Sequence, residues 1–388
     1  MNSKKMNILF ISSDNNPAAG AFRSMAKLCE LLNKDENINI IVILPKEGKG
    51  VRLLSNVGVK YHVIRSCSWV QHLNEHKTIL GTLKMQIKRL VNVFAIMRIC
   101  VTIKYNKIDI VHINTISSYV GAVAARLCKV PVVWHIREAL DVDQDKCLYD
   151  DKAYSIINKA KYTLYISEFI KNHYPQISMP QNAMIYNGID EKEYYYKRTW
   201  NKDEQEVVHF LNVGYMGNEK KGQILIIQAA SELVARGITN FDVTMVGSGN
   251  KEKEYIRRVS EAGISDKFYF LGELENTRDE YKKADVFIMS SSAEAFGRVT
   301  VEAMMAGCLI IGSNSGATPE ILEKGKSGIL FEANNSQSLT DAMEKVIHNF
   351  GDYEDIAKKG QQYALKNFNA LHNKTEVLRI YEDIIAGQ

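Results

Sequence analysis

The sequence predicts an α/β protein made of two doubly wound domains, and three observations lead to this prediction. Short apolar runs alternate with amphipathic stretches along nearly the whole chain, a pattern typical of parallel sheets covered by helices. The alternation stops in a polar and aromatic stretch that follows Asn187, and then begins again. The chain of 388 residues also exceeds one ordinary core, because single domains usually contain about 100–200 residues.

The predicted strands are rich in β-branched and aromatic residues, as expected for strands buried on both faces of a parallel sheet. In the first half they cover 7–12, 38–44, 60–64, 109–113, 131–136, 162–167 and 183–186. In the second half they cover 207–214, 241–247, 267–272, 285–290, 308–313 and 328–331. We place an N-terminal domain at 1–190, a linker at 191–206, a C-terminal domain at 207–365 and a final helix at 366–388 that packs back toward the N-terminal domain. Doubly wound domains bind ligands at the carboxyl ends of their strands, so the expected site is a central cleft between the two domains.

The composition is that of a soluble globular protein, with 46% hydrophobic residues and only 6 prolines. A net charge of +4 is small for this length and does not predict a nucleic-acid partner. The 6 cysteines have no CxxC spacing, which favours buried reduced thiols over a disulfide framework. The first residues, MNSKKMNILFISSD, run directly into a predicted strand. We therefore expect no signal peptide and a cytoplasmic protein.

The segment SSSAEAFGRVTVEAMMAG, from Ser290 to Gly307, has the features of an anion-binding site. It predicts a strand end with Glu294, a tight loop with Gly297, and a helix that carries Glu302. The first amides of a helix have no intrahelical acceptor, and together with the helix dipole they attract anions. The spacing alone leaves an alternative open, in which both glutamates are solvated residues flanking an ordinary strand–helix unit.

The same segment resembles the glutamate-x7-glutamate signature of the retaining glycosyltransferases of family 4, which have the GT-B fold. The resemblance rests on EAFGRVTVEAM and on further motifs that follow the family's order along the chain. These are NGIDEKEY (187–194), LNVGYMGNEKKGQ (211–223), MVGSGN (245–250), FLGEL (270–274) and SGATPEIL (315–322). Several ordered matches are far more specific than any one of them.

The resemblance implies that the C-terminal half binds a nucleotide-sugar donor. It assigns donor-ribose binding to Glu302, positioning of the sugar or diphosphate to Glu294, and neutralisation of the leaving diphosphate to Lys221, a flexible point charge. Further donor-binding positions are Gly20, Gly222, Gly247, Phe296, Gly297 and Arg298.

Three positions depart from the family pattern. Gly214 is followed by Tyr215, where the family usually has an arginine. Arg298 occupies a place where the family more often has an aliphatic residue, and either it supplies the missing charge or it is a surface arginine capped by a neighbouring glutamate. Gly20 is followed by Ala21, where a glycine pair is typical, so the match in the N-terminal half is partial.

The segment WHIREAL begins at the carboxyl end of the fifth predicted strand and contains a further candidate. The resemblance implies that His135 contacts the transferred sugar, whereas a lone histidine at a strand end is often a core residue. Arg137 and Glu138 come next, and we predict that they touch the acceptor. The segment DVDQD (141–145) looks like a metal-binding motif, but surface carboxylates are the better interpretation, and we expect neither a metal nor a cofactor. The segment GSGNKE (247–252) lacks the third glycine of a dinucleotide site.

The implied activity is transfer of a hexosyl or N-acetylhexosaminyl group from a nucleoside diphosphate, with retention of configuration. Enzymes of this bacterial surface-polysaccharide type suggest a glycan, a lipid-linked or a protein acceptor. Two alternatives remain open: a sugar-nucleotide epimerase, and a non-catalytic GT-B partner subunit. Survival of Lys221, Glu294 and Glu302 favours the transferase, while Tyr215 slightly favours the partner subunit.

Residues 77–107 combine helical apolar spacing with several cations and no acidic residue. The apolar positions are Leu80, Leu83, Ile87, Leu90, Val91 and Phe94, and the cations include Lys84, Lys88, Arg89, Arg98, Lys104 and Lys107. Such a helix either lies on an anionic membrane, on the inner face of the cell membrane, or packs on the core with a basic solvated side.

Overall fold

The computed structural model describes residues 5–73, 79–150, 152–200 and 206–387, except for the side chains of Leu80 and Asp143. Outside these ranges lie Lys77 of the basic segment and 201–205 of the predicted linker. The chain divides into two compact units. Unit 1 consists of Met1–Gly188 with Ala370–Gln388, and unit 2 consists of Ile189–Asn369. Among the described helices, none is long and apolar enough to cross a membrane.

Unit 1 is built on a seven-stranded parallel sheet. The strands of unit 1 are β1 (Met6–Ile11), β2 (Ile38–Leu44), β3 (Lys60–Val63), β4 (Val70–His72), β5 (Ile110–Ile113), β6 (Val132–Ile136), β7 (Lys146–Leu148), β8 (Tyr162–Tyr165) and β9 (Asn182–Met184). The large sheet has the order β3-β2-β1-β5-β6-β8-β9, and every strand pair in it is parallel. The short antiparallel pair of β4 and β7 was not predicted.

The helices of unit 1 cover the sheet and include the C-terminal helix. They are α1 (Gly20–Asn33), α2 (Val51–Ser55), α3 (Ile79–Tyr105), α4 (Val120–Leu127), α5 (Leu140–Gln144), α6 (Lys152–Ile157), α7 (Glu168–His173) and α16 (Ala370–Ala386). The last of these buries Val377, Ile380 and Ile384 in the core that the sheet forms with α1. Its Tyr381 donates to or accepts from His112 of β5 across 2.7 Å.

Unit 2 repeats this architecture with a six-stranded parallel sheet. Its strands are β10 (Val208–Val213), β11 (Phe241–Val246), β12 (Phe268–Phe270), β13 (Val286–Met289), β14 (Leu309–Ser313) and β15 (Ile329–Phe331), in the order β12-β11-β10-β13-β14-β15. Its helices are α8 (Glu191–Tyr194), α9 (Gln223–Ala235), α10 (Glu252–Glu261), α11 (Arg278–Lys283), α12 (Arg298–Met305), α13 (Thr318–Ile321), α14 (Ser336–His348) and α15 (Glu354–Asn367). The prediction of two doubly wound α/β domains is confirmed.

The segment predicted to be a linker belongs to unit 2 in its described part, so the prediction of a linker at 191–206 needs correction. Tyr194 and Trp200 are buried, and the indole stacks on Phe350 with ring centroids 4.8 Å apart. Between them, Arg198 lies 3.6 Å from the carboxylate of Asp285. The aromatic residues that made this segment look irregular bury apolar surface against unit 2, which stabilises the segment there.

Each sheet has one position where the strand order reverses. In unit 1 it lies between β1 and β5, and in unit 2 between β10 and β13. Loops that leave two neighbouring strands in opposite directions open a crevice at the carboxyl ends, which is where doubly wound sheets bind ligands. The loops after these four strands are therefore the places to look for a site.

Candidate active site

In unit 2, the loops that follow β10 and β13 are joined at the point where the strand order reverses. The loop after β10 contains a short 3-10 helix, Glu219–Lys221, which begins with a side-chain cap from Asn218. The hydroxyl of Ser290 donates to the carbonyl of Lys221 at 2.8 Å, and the amide of Ser292 donates to the carbonyl of Lys220, also at 2.8 Å. These bonds hold the backbone of Lys221 against the loop that carries Glu294.

Two of the predicted glycines are needed because these loops approach one another closely. Gly222 has a φ of +70°, and a Cβ atom there would lie 2.2 Å from the carbonyl oxygen of Ser290. Gly247 has a φ of +131°, and its Cβ would lie 2.0 Å from the carbonyl oxygen of Gly214. Any side chain at either position would push two loops apart. The sequence assigned both glycines to donor binding, which stays a prediction, and the structure shows that both allow close approach of loop to loop.

Lys221 and Glu294 form an ion pair at this place. The ammonium Nζ lies 2.8 Å from Oε2 of the carboxylate, and the two side chains are 31% and 19% exposed. The backbone of Glu294 is fixed by the amide of Ala317, which donates to its carbonyl at 2.8 Å. Gly316 packs so closely that a Cβ there would lie 2.6 Å from the Glu294 nitrogen. The pair is therefore partly exposed and rests on a well-fixed backbone.

Helix α12 begins beside this pair, after Gly297, whose φ of +83° turns the chain into the helix. Glu302, in its second turn, is 1% exposed and accepts hydrogen bonds from the hydroxyl of Tyr281 at 3.0 Å and from Arg298 at 3.3 Å. Burial and the nearby carboxylate raise the pKa of Tyr281 well above its ordinary value, so its hydroxyl remains a donor. Arg298, whose side chain is 14% exposed, thus contacts the neighbouring glutamate, and its action on the diphosphate stays a prediction.

Two aromatic residues of these loops have different surroundings. Tyr215, where the family usually has an arginine, is 60% exposed. Phe296 is buried and meets Phe368 edge to face, with ring centroids 5.7 Å apart. The sequence assigned Phe296 to donor binding. In the structure its ring makes a packing contact that anchors the signature loop.

In unit 1, the structure places His135 in the interior. It is the fourth of the five residues of β6, is fully buried, and has its Nδ1 3.0 Å from the guanidinium of Arg137. Burial, followed by the charge of Arg137, holds the pKa of His135 well below its ordinary value, and the ring is neutral. This position corresponds to the core histidine that the sequence kept as an alternative, and contact with a sugar stays a prediction.

Arg137 and Glu138 directly follow β6 and form a buried polar network. The guanidinium donates to the side-chain oxygens of Asn114, at 2.9 Å, and of Asn187. Glu138 accepts a hydrogen bond from the hydroxyl of Ser117 at 2.8 Å, and burial raises its pKa. Sequence reasoning missed the two asparagines and the serine, although Asn114 directly follows β5, the neighbour of β6, and this was the available signal.

The remaining predicted positions of unit 1 lie on its surface. Gly20 is the exposed first residue of α1, and the carbonyl of Ala21 accepts from the Asn114 amide at 3.1 Å. Gly20 thus belongs to the loops at the reversal point of this sheet. In the segment DVDQD, Asp141 lies 2.6 Å from Nε2 of His173. Within the described residues, no group of three side chains has a metal-binding arrangement.

Each half of the chain matches a family of known proteins. Residues 20–193 match the family described as Glycosyltransferase Family 4. Residues 196–363 match the family described as Glycosyl transferases group 1. The two matches are consecutive and together cover most of the chain.

Individual relatives are distant in sequence. An uncharacterized glycosyltransferase of Methanocaldococcus jannaschii is 24% identical over 302 residues, which are 71% of this chain and 76% of that protein. The lipopolysaccharide core biosynthesis mannosyltransferase LpsB of Rhizobium meliloti is 26% identical over 136 residues, only 34% of this chain and 39% of that protein. The crystal structure of Anabaena HepE in complex with UDP has a TM-score of 0.79 at 20% identity and covers 97% of this chain and 100% of its own. The chain belongs to glycosyltransferase family 4 and has the GT-B fold.

Proposed function

We propose that the protein is a retaining glycosyltransferase that moves a hexosyl or N-acetylhexosaminyl group from a nucleoside diphosphate to a glycan, lipid-linked or protein acceptor. The observation that carries this proposal is the Lys221–Glu294 pair at the strand-order reversal of unit 2, beside the first turn of α12. A cation next to a helix N-terminus suits a diphosphate. Crystals of HepE with UDP and with UDP-glucose support such a donor. The similarity to LpsB supports a role in cell-surface polysaccharide synthesis. A cytoplasmic location is part of the proposal and rests on the sequence alone.

In this proposal the leaving diphosphate is the main electrostatic problem. Negative charge grows on the diphosphate as its bond to the anomeric carbon breaks, and fixed positive groups stabilise that charge. Lys221 supplies the ammonium, and the first amides of α12 supply oriented dipoles. Because these groups serve the leaving group, the proposal needs neither a metal nor a cofactor.

Glu294 has two tasks in sequence. Before donor binds, its carboxylate neutralises and orients the Lys221 ammonium. When the diphosphate takes over that ammonium, the carboxylate becomes an acceptor for hydroxyl groups of the donor sugar. Glu302 accepts from the donor ribose in the same way, with Tyr281 and Arg298 fixing its two oxygens.

A thermal-shift screen of the purified chain against nucleoside diphosphates and nucleotide sugars tests the donor. A ligand that binds only the folded state raises the melting temperature, and the stabilisation grows with the logarithm of the ratio of its concentration to Kd once that ratio is well above one. We expect stabilisation by one nucleoside diphosphate and its sugar conjugates, and weaker stabilisation of Lys221→Ala. The control variant is Lys345→Ala, which removes an exposed lysine of α14 in the same unit. Absence of stabilisation by every nucleotide tested would contradict the proposal.

Product analysis with the purified chain separates the alternatives. A transferase releases the nucleoside diphosphate and forms a new glycoside, whose anomeric configuration reports retention or inversion. An epimerase converts the nucleotide sugar into its epimer and leaves the diphosphate attached. A partner subunit binds the nucleotide but forms neither the glycoside nor the epimer.

A further inference from the structure

Helix α3 of unit 1 exposes a continuous apolar stripe. Nine of its apolar side chains are exposed by half or more, and we call them the outer stripe. They are Ile79, Leu83, Ile87, Leu90, Val93, Phe94, Met97, Val101 and Tyr105. Since an α-helix turns about 100° per residue, these nine positions fall within an arc of about 120° along the whole helix. Soluble proteins rarely leave a contiguous apolar surface of this kind without a binding function.

The outer stripe is distinct from the face that α3 packs on unit 1. Met85, Ala95, Ile99 and Ile103 are buried on the opposite side. Asn92, on the same side, exchanges two hydrogen bonds with the backbone of Cys67, at 2.7 and 2.9 Å. The helix is therefore already fixed to unit 1 by one face, and the outer stripe takes no part in that packing.

The charges of α3 all have one sign. The helix contains five cations, Lys84, Lys88, Arg89, Arg98 and Lys104, and no acidic residue. Arg89 has a carboxylate partner, Asp150, at 3.6 Å, and the ammonium of Lys88 lies 3.5 Å from the carbonyl of Val70. At about 100° per residue, Arg98 lies at one border of the outer stripe, and Lys104 lies within it.

The neighbouring end of α4 adds cations at the other border of the outer stripe, where Cys100 lies. The thiol of Cys128 lies 3.9 Å from the carbonyl of Cys100, which places the end of α4 beside the second half of α3. Here Arg126 and Lys129 are exposed, and Leu127 is 67% exposed. The outer stripe therefore has cations along both borders, Arg98 of α3 on one side and the end of α4 on the other.

We propose that this surface binds the face of an anionic lipid bilayer. The outer stripe would lie at the boundary between headgroups and acyl chains, and the cations would contact lipid phosphates. A second copy of the chain fits less well. A twofold interface places the same patch against itself, so the cations of two α3 helices would share one interface to which neither helix contributes a carboxylate.

The proposal also explains which edge of unit 1 meets the bilayer. A crossover helix between parallel strands runs opposite to them, so the Ile79 end of α3 lies at the carboxyl edge of the sheet. Trp69 connects this end to the site loops: it lines a small cavity with Met85 and Arg89, and its indole donates to the carbonyl of Ile116 at 2.7 Å. Delivery of a lipid-linked acceptor to Glu138 by this route rests on the proposed function, whereas membrane binding itself does not.

Co-sedimentation of the full chain with vesicles tests the proposal. One set contains phosphatidylcholine with about 30% phosphatidylglycerol, and the other contains phosphatidylcholine alone. We expect binding to the first set, at least about tenfold weaker binding to the second, and release from the first at about 0.5 M salt.

Variants assign the binding to the surface. Leu90→Gln with Phe94→Gln should lower the partition coefficient for anionic vesicles at least about tenfold, because two inserted side chains are lost. Arg98→Gln with Lys104→Gln should lower it by a similar factor. The matched controls are Leu371→Gln with Ile256→Gln, which replace exposed apolar residues elsewhere, and Arg52→Gln with Lys60→Gln, which replace exposed cations of unit 1. Both controls should bind vesicles as the unchanged chain does.

Three outcomes would overturn the proposal. The first is equal or negligible binding of the chain to both vesicle sets. The second is undiminished vesicle binding by the Leu90→Gln/Phe94→Gln variant. The third is an unchanged chain that is dimeric and does not bind vesicles, with a variant that is monomeric. Melting temperature with and without nucleoside diphosphate is measured for each variant. Because the replaced side chains are exposed, both values should stay unchanged, so a failure of membrane binding is separate from a failure of donor binding.

Discussion

The two units use the same kind of parallel sheet but surround their reversal points differently. In unit 2, Lys221 and Glu294 are partly exposed and rest on loops whose glycines leave no room for a Cβ. In unit 1, Arg137 and Glu138 are buried, and the guanidinium is bound by neutral amides. A partly exposed ion pair exchanges partners readily, whereas a buried network is costly to disturb. Unit 2 is therefore suited to bind and release a charged ligand, whereas the buried network of unit 1 is suited to keep the loop after β6 in one conformation.

The largest effect is expected at the exposed pair. Lys221→Ala should lower the rate of sugar transfer by about a hundredfold or more, the scale for losing one preorganised charge-stabilising group. The measurement is kcat with saturating donor, and Lys345→Ala should leave kcat unchanged. Near-normal turnover of Lys221→Ala would show that another group stabilises the leaving diphosphate.

The contrast with unit 1 is tested by Arg137→Leu. The change leaves the buried side-chain oxygens of Asn114 and Asn187 without this donor, which should destabilise unit 1 by about 2–3 kcal/mol. The measurement is urea unfolding followed by a probe in unit 1. Nucleoside diphosphate affinity should stay unchanged, because the donor loops belong to unit 2. A loss of nucleotide affinity without a loss of stability would reverse the roles that we assign to the two units.

The difference between the units also explains what the sequence predicted and what it missed. The strand positions and the residues of the donor loops were predictable, because hydrophobic runs and the signature motif are local patterns. The partners of Arg137 lie 23 and 50 residues away in the chain, and only the folded sheet brings them together. The burial of His135 was kept only as an alternative to sugar contact, and the structure shows it because a central parallel strand buries the residues of both faces. The three-residue strands β4 and β7 are too short for a periodic signal, and their pairing spans distant segments.

Helix α3 was ambiguous for a different reason. Both of its sides carry apolar residues, and one side packs on unit 1 while the other forms the outer stripe. Hydrophobic spacing identifies a helix but does not say which apolar face is covered. The two interpretations kept open for residues 77–107, core packing and surface binding, therefore apply to opposite faces of one helix, the first seen in the structure and the second a proposal.

A smaller effect distinguishes two roles of Arg298. We expect Arg298→Ala to lower turnover about tenfold, as for the loss of one charge-assisted hydrogen bond, and Tyr215→Arg to restore part of it. Restoration means that the arginine acts through its charge on the diphosphate. If Tyr215→Arg restores nothing, and Glu302→Gln with Arg298→Ala is no worse than either single change, the arginine acts by positioning Glu302.

The last prediction concerns the stability of unit 1 in acid, an effect that is small at neutral pH. His112 and His135 are buried, and burial with the charge of Arg137 holds the pKa of each well below its ordinary 6.5. Below about pH 6.5 the unfolded chain therefore binds protons that the folded chain does not. As the pH is lowered, the free energy of unfolding decreases by up to about 1.4 kcal/mol per pH unit for each histidine. Glu138 acts in the opposite sense: burial raises its pKa above 4.5, so the folded chain holds its proton longer, and its contribution to stability is lost as pH rises through that raised value. The histidines should dominate between about pH 6.5 and 5, because two groups titrate against one.

Urea unfolding at several pH values, with separate probes in the two units, checks this expectation. His135→Gln should be less sensitive to acid than the unchanged chain, and an acid response of unit 1 that survives this change in full would place the titrating groups elsewhere.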